Sequence, residues 1–267
     1  MASRFLKLTG YGLAAGAVVA LLVAERKRPL RQSTQAPLPR LARNLAMGAA
    51  CQAVVMASEA PLTEAIARRN AAERRGLQHR IGGTAGRLAA FLAMDYGFYL
   101  WHVATHRVPF LWRFHRVHHV DPDLDASTAI RFHFVDMLVS LPWRLVQVRL
   151  SGIDPAGLNA WRGFFLASIL FHHANLRLPG RWDERLARLF TTPKMHGIHH
   201  SQRADEMDSN FTSGISLWDR LHGTFRADVA QAEIVIGVGD PEAERDVQIV
   251  PAIAAPFRLA NPGKPSR

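Results

Sequence analysis

The sequence predicts an all-α protein, an integral membrane helical bundle with a cluster of histidines at the membrane face. Five apolar segments, each 16 to 20 residues long, recur along the chain at 8–24, 43–60, 86–105, 134–150 and 158–173. Basic residues border these segments, and most of the histidines are spaced as on one face of a helix. The three observations together favour helices in a membrane over a soluble mixed fold.

Residues 1–80 are assigned to N-terminal membrane segments and a basic surface helix. The first apolar run, 8–24, carries no charge and ends at Glu25-Arg-Lys-Arg28. Seventeen helical residues reach about 25 Å, slightly less than the roughly 30 Å hydrocarbon core. A cleaved signal peptide is the competing interpretation, but no small-x-small cleavage site follows the run. Segment 61–80 is rich in helix formers and arginine, which favours a surface helix.

The charge pattern favours a membrane partner over nucleic acid. The formal net charge is +11, and the basic residues flank apolar segments instead of forming one polar module. Such clusters are attracted to anionic lipid surfaces. An ordinary solvated face is the alternative for 64–80. The single cysteine, Cys51, excludes an internal disulfide and any cysteine-based zinc or iron–sulfur site.

The remaining chain divides into a catalytic domain, 81–228, and a loose tail, 229–267, whose last part is proline-rich and aperiodic. If 134–173 forms a hairpin that returns to its starting side, the clustered histidines all emerge on one side. Charged residues inside apolar segments need partners. We therefore expect Asp95 to pair with Arg144, which lies at a similar depth in an adjacent segment.

The most informative feature is a histidine pattern. The motif His-x-x-His-His occurs twice, 81 residues apart, as His115-Arg-Val-His118-His119 and His196-Gly-Ile-His199-His200. On a helix, positions i, i+3 and i+4 share a face, so each motif should aim three imidazoles at a common point. Ten of the thirteen histidines lie in clusters of this kind, which also include the pairs His102/His106 and His172/His173.

These clusters predict a metal centre. Imidazole binds Zn, Cu, Fe and Ni, and ten histidines suffice for two ions. The sequence has no His-Glu-x-x-His zinc-protease motif and no Gly-x-Ser-x-Gly elbow.

The histidine boxes and their surroundings resemble the membrane fatty acid hydroxylase/sterol desaturase superfamily over about residues 88–226. The resemblance rests on the three histidine boxes in order and on the text around them: Trp112-Arg-Phe-His-Arg-Val-His-His119, Phe171-His-His-Ala-Asn-Leu-Arg-Leu-Pro179, Thr192-Pro-Lys-Met-His-Gly-Ile-His-His-Ser201, Asp208-Ser-Asn-Phe211 and Leu217-Trp-Asp-Arg-Leu221. Members of that family are integral membrane enzymes that hold two irons in a histidine-rich site and use O₂ to oxidise lipid C–H bonds.

The resemblance implies nine metal ligands: His102, His106, His115, His118, His119, His173, His196, His199 and His200. His172 would be a neighbour of His173 or its substitute, and Asn175 an orienting residue or a weak ligand. His133, where the family has a somewhat different segment, is expected either near the ligands or at the surface. His222 is expected outside the ligand set. Asp208, close after the last box, is the favoured carboxylate to orient a ligand.

The resemblance also implies the partners and the reaction. Two iron ions and O₂ would hydroxylate or desaturate a lipid, and a separate ferredoxin or cytochrome would supply electrons, since the chain has no cysteine cluster or nucleotide-binding glycine motif. No nucleic acid is expected. The enzyme would be a multi-pass integral membrane protein. Two alternatives stay open at this point: a non-catalytic haem- or metal-binding membrane protein, and a zinc-dependent membrane hydrolase.

Overall fold

The described part of the chain is mainly helical and contains no β-sheet, which confirms the all-α prediction. The computed structural model describes residues 2–258, without the side chains of residues 2–11, 13 and 14. Its helices are α1 Ala2–Lys27, α2 Pro37–Val54, α3 Ala60–Glu73, α4 Leu77–Ile81, α5 Gly83–Arg107, α6 Pro109–His119, α7 Phe134–Ser151, α8 Pro155–His173, α9 Trp182–Leu186, α10 Pro193–His199, α11 Ala204–Met207, α12 Leu217–His222, α13 Ala243–Asp246 and α14 Ile249–Arg258. Between residues 2 and 258, β pairing is confined to three isolated bridges.

Four helices, α3, α5, α7 and α8, pack around the main apolar core. Small residues let α5 approach its neighbours closely. At Gly97, a Cβ atom would lie 2.7 Å from Gln147 Nε2, and Trp143 Nε1 donates a hydrogen bond of 2.9 Å to the Gly97 carbonyl. The buried members of this core are Ala67, Ala90, Met94, Val148, Ile153, Leu158 and Trp161. The core fixes α5 and α8, whose far ends carry histidines.

The second helix continues into the third through a π-helical turn, Val55–Glu59. Pro37–Ile81 is the one helical stretch in the described residues that is long and apolar enough to cross a membrane. The expectation of a surface helix at 61–80 is correct for one face of α3 and wrong for the other. Arg68 and Arg69 of α3 are solvent-exposed, but Thr63, Ala67 and Asn70 are buried against the core.

The expected pairing of Asp95 with Arg144 is wrong. Asp95 Oδ2 accepts hydrogen bonds from Trp218 Nε1 at 2.7 Å and from the Ile215 amide at 3.2 Å. Arg144 instead lies over the Phe98 ring, 4.6 Å from its centroid. A buried charge needs a partner, as expected, but the partners differ from the predicted ones. Asp95 accepts from an indole and an amide, and Arg144 lies over an aromatic ring.

The C-terminal stretch is not a loose tail as far as residue 258. Helix α14 packs against α6, with Ala252 and Ala255 buried. Just before it, the carbonyl of Val247 accepts a 2.9 Å hydrogen bond from the buried guanidinium of Arg131. The two prolines taken as a sign of loose chain, Pro251 and Pro256, are accommodated within this short helix. Residues 259–267 lie outside the described part of the chain.

The three-residue connection Gly152–Asp154 between α7 and α8 brings the two outer ends of this pair together. Phe132, just before α7, stacks on His118 with ring centroids 4.2 Å apart. His173, at the end of α8, contacts the same His118 from another side. The hairpin inferred from sequence therefore returns to the level at which α5 ends and α6 begins, and it closes the histidine cluster.

Candidate metal centre

Four helices deliver the clustered histidines to one place. The C-terminal parts of α5 and α8 carry His102, His106 and His173. Helices α6 and α10 each begin with proline at the first helical positions, where its missing N–H costs nothing. Thr192 caps α10 by accepting from the Met195 amide. These starts fix the angle at which each short helix projects its histidine motif.

The structure brings all nine histidines predicted as ligands into two adjacent groups. Each histidine of a group contributes one ring nitrogen that lies within 4.8 Å of those of the other members, and every member is buried. The first histidine group contains His102, His106, His115, His119 and His199; the second contains His118, His173, His196 and His200. The groups adjoin, since the rings of His119 and His200 stack with centroids 4.2 Å apart.

The expectation that each His-x-x-His-His motif points at one common site is wrong. In the 115–119 motif, positions i and i+4 join the first group and position i+3 joins the second. In the 196–200 motif the assignment is reversed, because His196 and His200 join the second group and His199 the first. At 100° per residue, i and i+4 differ by about 40°, whereas i+3 and i+4 differ by about 100°. Each motif therefore serves both groups.

Backbone carbonyls fix the orientation of four of these rings. His102 Nδ1 lies 2.6 Å from the Phe211 carbonyl oxygen, and His199 Nδ1 lies 2.8 Å from that of Ser209. A carbonyl can only accept, so each Nδ1 must carry the proton. The Nε2 atoms of His102 and His199 are then bare acceptors, and both are buried without a hydrogen-bond partner. Two buried lone pairs thus face the interior of the first group.

In the second group, backbone carbonyls also fix which ring nitrogen carries the proton, and two unprotonated nitrogens lie close together. His118 Nδ1 donates to the Arg131 carbonyl at 3.1 Å, and His173 Nδ1 donates to that of Ile169 at 2.7 Å. Their Nε2 atoms, both bare, are nevertheless only 3.1 Å apart. Two lone pairs at that distance repel unless a cation lies between them. Nitrogens bound at right angles to one ion at about 2.1 Å would be roughly 3.0 Å apart.

The site's electrostatics suit a cation. Burial, reinforced by the neighbouring imidazoles, holds the pKa of His119, His199 and His200 well below the usual value. The rings are therefore neutral at physiological pH, which is the form that binds a metal. Carboxylates stand at the rim: Asp208 Oδ1 is 3.8 Å from His106 Nδ1, and Asp136 Oδ2 is 3.7 Å from His115 Nδ1. Asp208 is where the sequence favoured an orienting carboxylate.

One loop, 208–212, supplies two of the four orienting carbonyls, and Asp219 of α12 holds it. The buried carboxylate of Asp219 accepts hydrogen bonds from the Phe211 amide at 2.9 Å and the Thr212 amide at 3.0 Å. Asn210 has a φ of 50°, in the left-handed region, and its side-chain amide donates to the Met195 carbonyl at 3.0 Å. The turn at Asn210 directs the flanking carbonyls of Ser209 and Phe211 toward the first group.

Three further candidates lie outside the two groups. His172 is fully buried, with its ring centroid 4.1 Å from that of His196, so it is a neighbour of the second group. Of the two places expected for His133, near the ligands or at the surface, the surface is wrong, because the side chain is buried directly after Phe132, which stacks on His118. His133 accepts from the Val135 amide at the start of α7, and its Nε2 donates to the Ile253 carbonyl. Both ring nitrogens are thus used by the backbone.

Asn175 is not placed as a weak ligand. Its Oδ1 accepts from the amides of Leu30 and Arg31, and its Nδ2 donates to the Arg31 carbonyl. The side chain therefore anchors the linker after α1. His222 lies apart from both groups, as expected, with Nε2 3.0 Å from the Tyr96 hydroxyl.

Sequence reasoning missed the residues that orient the histidines through their main chains. Arg131, Ile169, Ser209 and Phe211 act through carbonyl oxygens, which no side-chain pattern reveals. Asp219 could have been suspected, because an aspartate lies in the quoted Leu217–Leu221 stretch of the family resemblance.

The sequence is similar to three curated lipid-oxidising enzymes. An ornithine lipid hydroxylase of Rhizobium tropici is 32% identical over 145 residues, 54% of this chain and 43% of the relative. Alkylglycerol monooxygenase of Xenopus tropicalis is 30% identical over 51% of this chain and 29% of the relative. Human cholesterol 25-hydroxylase is 28% identical over 52% of this chain and 50% of the relative.

The matched regions thus span half or less of the length of each of these relatives. No solved structure shows significant similarity to the chain. The family model of fatty acid hydroxylases matches residues 87–224. That range is just over half of the chain and contains both histidine groups. The chain belongs to the fatty acid hydroxylase family.

Proposed function

We propose that this chain is a membrane-bound di-iron oxidoreductase that uses O₂ to hydroxylate or desaturate a C–H bond of a lipid. The observation that carries the proposal is the pair of adjacent groups of buried imidazoles, whose nitrogens converge and include the unpartnered Nε2 atoms of His102 and His199. Nine nitrogen donors exceed what one ion takes and suit two. The relatives named above, all lipid hydroxylases or monooxygenases, support the same reaction class.

The donor set fits iron that reacts with O₂. A pair of irons would supply the redox equivalents for oxygen activation when bound. Thiolates, which oxygen chemistry would oxidise, are excluded from the site, because the single cysteine, Cys51, lies on α2 and donates to the Phe132 carbonyl. The chain's own contribution is orientation: carbonyls fix the rings, and burial excludes water from them.

We further propose that the site lies at the face of a multi-pass membrane bundle. Large apolar side chains point outward along several helices, including Leu45 of α2, Leu138 and Leu150 of α7, and Leu166 of α8. Inside, buried polar side chains outnumber buried apolar ones. An apolar exterior around a polar interior is the arrangement expected of a protein whose outer solvent is lipid.

The substrate class proposed is a lipid, with electrons from a separate ferredoxin- or cytochrome-type donor. The relatives' names cover an ornithine lipid, an alkylglycerol and a sterol. These three proteins share oxidation of a lipid, but their lipids differ in head group and skeleton. We therefore assign the reaction class and leave the head group to be decided by the test below.

The test combines metal analysis with an isotope label. Wild type is compared with His199→Ala, from the first group, and His118→Ala, from the second. His79→Ala on α4, outside both groups, is the control. We expect about two irons per chain in wild type and control, and a loss of iron and of product in both variants. Lipids from expressing cells grown under ¹⁸O₂ should gain one labelled oxygen for hydroxylation or lose two hydrogens for desaturation.

Two outcomes would favour the other candidates. A haem absorption band in the purified protein would support a haem protein. Bound zinc, with activity that persists without O₂, would support a hydrolase. Full iron loading in both variants would remove these histidines from the ligand set.

A further inference from the structure

A cavity of about 1000 Å³ lies between the linker after α1, the segment after α8 and the first turn of α10. Four basic side chains line it: Arg28 and Arg31 after α1, Arg177 after α8, and Lys194 on α10. One wall is apolar, formed by Leu124, Ile234 and Ile236. A cavity of this size suits a small molecule or the head of a larger one, more than a protein surface.

The chain balances the positive charge of this cavity only in part, because the buried carboxylate of Asp183 acts electrostatically on Arg31 and Lys194. Asp123 is the one carboxylate in the lining, and its oxygens already accept from the amides of Thr34 and Gln35. Within the described residues, none of the four cations has a carboxylate oxygen within ion-pair distance. Four cations against the two carboxylates Asp123 and Asp183 leave an excess of positive charge, which raises the energy of the folded chain, so the cluster is best explained by an anion that joins it.

Arg31 is held in the cavity wall by hydrogen bonds and by the space that a glycine leaves for it. Its Nη2 donates to the Pro193 carbonyl at 3.0 Å and to Gln231 Oε1, while Nε and Nη1 are buried without partners. Gly197 makes room for it, since a Cβ there would lie 1.6 Å from Nη2. Burial, opposed by the more distant Asp183, lowers the pKa of Arg31 to about 10. The chain thus holds a guanidinium in the cavity wall at an energetic cost.

The residues that line the cavity are close in sequence to the second histidine group and to α1. Asn175, two residues after His173, ties the Leu30–Arg31 backbone to the cavity wall. Lys194 stands two residues before His196. On the other side, α1 ends at Lys27, directly before the rim, and exposes Val19 and Val23. An acyl chain could lie along that helix while its head enters the cavity.

We propose that this cavity binds the phosphate group of an anionic lipid headgroup, held by Arg28, Arg31, Arg177 and Lys194. Lysine and arginine are the side chains that bind phosphate oxygens, and the apolar wall and α1 select a lipid over a soluble ion. The extension, that this lipid represents the substrate class, rests on the proposed function.

The test measures binding to the purified full-length chain in nonionic detergent, by calorimetry. The probes are dihexanoyl phosphatidic acid, dihexanoyl phosphatidylcholine and inorganic phosphate. Arg177→Gln/Lys194→Gln removes two cavity cations. Its matched control, Arg68→Gln/Arg188→Gln, removes two exposed cations elsewhere and makes the same change in net charge. Lys194→Arg keeps the cavity charge and serves if the double variant folds poorly.

We expect wild type, the control and Lys194→Arg to prefer phosphatidic acid over the choline lipid. The cavity double variant should bind it about a hundredfold more weakly, since each charge-assisted hydrogen bond lost weakens binding roughly tenfold or more. Equal binding of the two lipids, equal weakening in the control, or unchanged binding in the double variant would overturn the proposal. Inorganic phosphate binding as tightly as the lipid would overturn the assignment to a lipid.

Iron content, measured on the same samples, separates this proposal from the proposed function. Neither cavity substitution alters a histidine of the two groups, so the iron content should stay at the wild-type value. A chain that binds the anionic lipid but holds no iron would contradict the proposed function alone. A chain that holds iron but shows no lipid preference would contradict this inference alone.

Discussion

Replacing Asp219 by asparagine should weaken metal binding without any change to a histidine. Asp219 is fully buried. It accepts from the amides of Phe211 and Thr212 and from Thr224 Oγ1, at 2.9, 3.0 and 2.7 Å. The Phe211 carbonyl in turn accepts the proton of His102 Nδ1. The carboxylate therefore acts on the first histidine group through one peptide unit.

The magnitude follows from the number of acceptors lost. Asparagine offers one oxygen in place of two, so one of the two amides faces an NH₂ group and loses its partner. Losing a hydrogen bond to a charged group costs about 1.5–3 kcal/mol, partly offset because a buried charge is also removed. We expect a loss of about 2 kcal/mol in stability. Removing an outer partner of a metal-bound histidine lowers metal affinity roughly 10- to 100-fold.

The assay is iron retention against a graded series of chelators, with the thermal unfolding midpoint measured on the same samples. Thr224→Val is the matched control, because it removes a donor to the same carboxylate but leaves both amide contacts in place. It should lower the midpoint slightly and leave iron retention as in wild type. If Asp219→Asn unfolds earlier yet retains iron like wild type, the carboxylate supports the fold alone and the reasoning is refuted.

Three further predictions follow from the site. His173→Ala should remove metal from the second group, whereas His172→Ala should keep the wild-type metal content and lose only packing; equal metal loss by elemental analysis would show that the grouping is wrong. Arg131→Met removes the guanidinium contacts to the Val117 and Val247 carbonyls and should destabilise the protein by about 3–5 kcal/mol; an unchanged chemical-denaturation midpoint would contradict the role given to it. Burial depresses the pKa of His118, His119, His196, His199 and His200. Without metal, the free energy of unfolding should therefore fall by up to about 1.4 kcal/mol per histidine for each pH unit below about 6.5, because the unfolded chain then binds protons that the folded chain does not. A thermal unfolding midpoint that stays constant from pH 7.5 to 5.5 would contradict these depressed pKa values.

The histidines that gather in the two groups could be identified from sequence because helical spacing is a local property. His102 and His106, at i and i+4, share a group whatever the rest of the chain does. The choice of group could not be read in the same way. It depends on how α6 and α10 are rotated about their axes, and tertiary packing sets that rotation. His118 and His119 are neighbours in sequence yet belong to different groups for this reason.

The partners that the sequence did not reveal share a second physical cause. Asp95, His133 and Asn175 are polar residues in apolar or histidine-rich surroundings, where burial requires a partner. The sequence shows that a partner is needed but not which one. In each case distant backbone or indole groups supplied it: the Trp218 indole and the Ile215 amide, the Ile253 carbonyl, and the Leu30–Arg31 backbone. Side-chain patterns cannot reveal such partners, because every residue carries the same peptide groups.

Anomalous scattering at the iron absorption edge, from crystals of the iron-loaded protein, tests the central claim most directly. Our account predicts two iron peaks: one surrounded by His102, His106, His115, His119 and His199, and the other by His118, His173, His196 and His200. A single peak shared by both groups, or iron placed away from these rings, would contradict it.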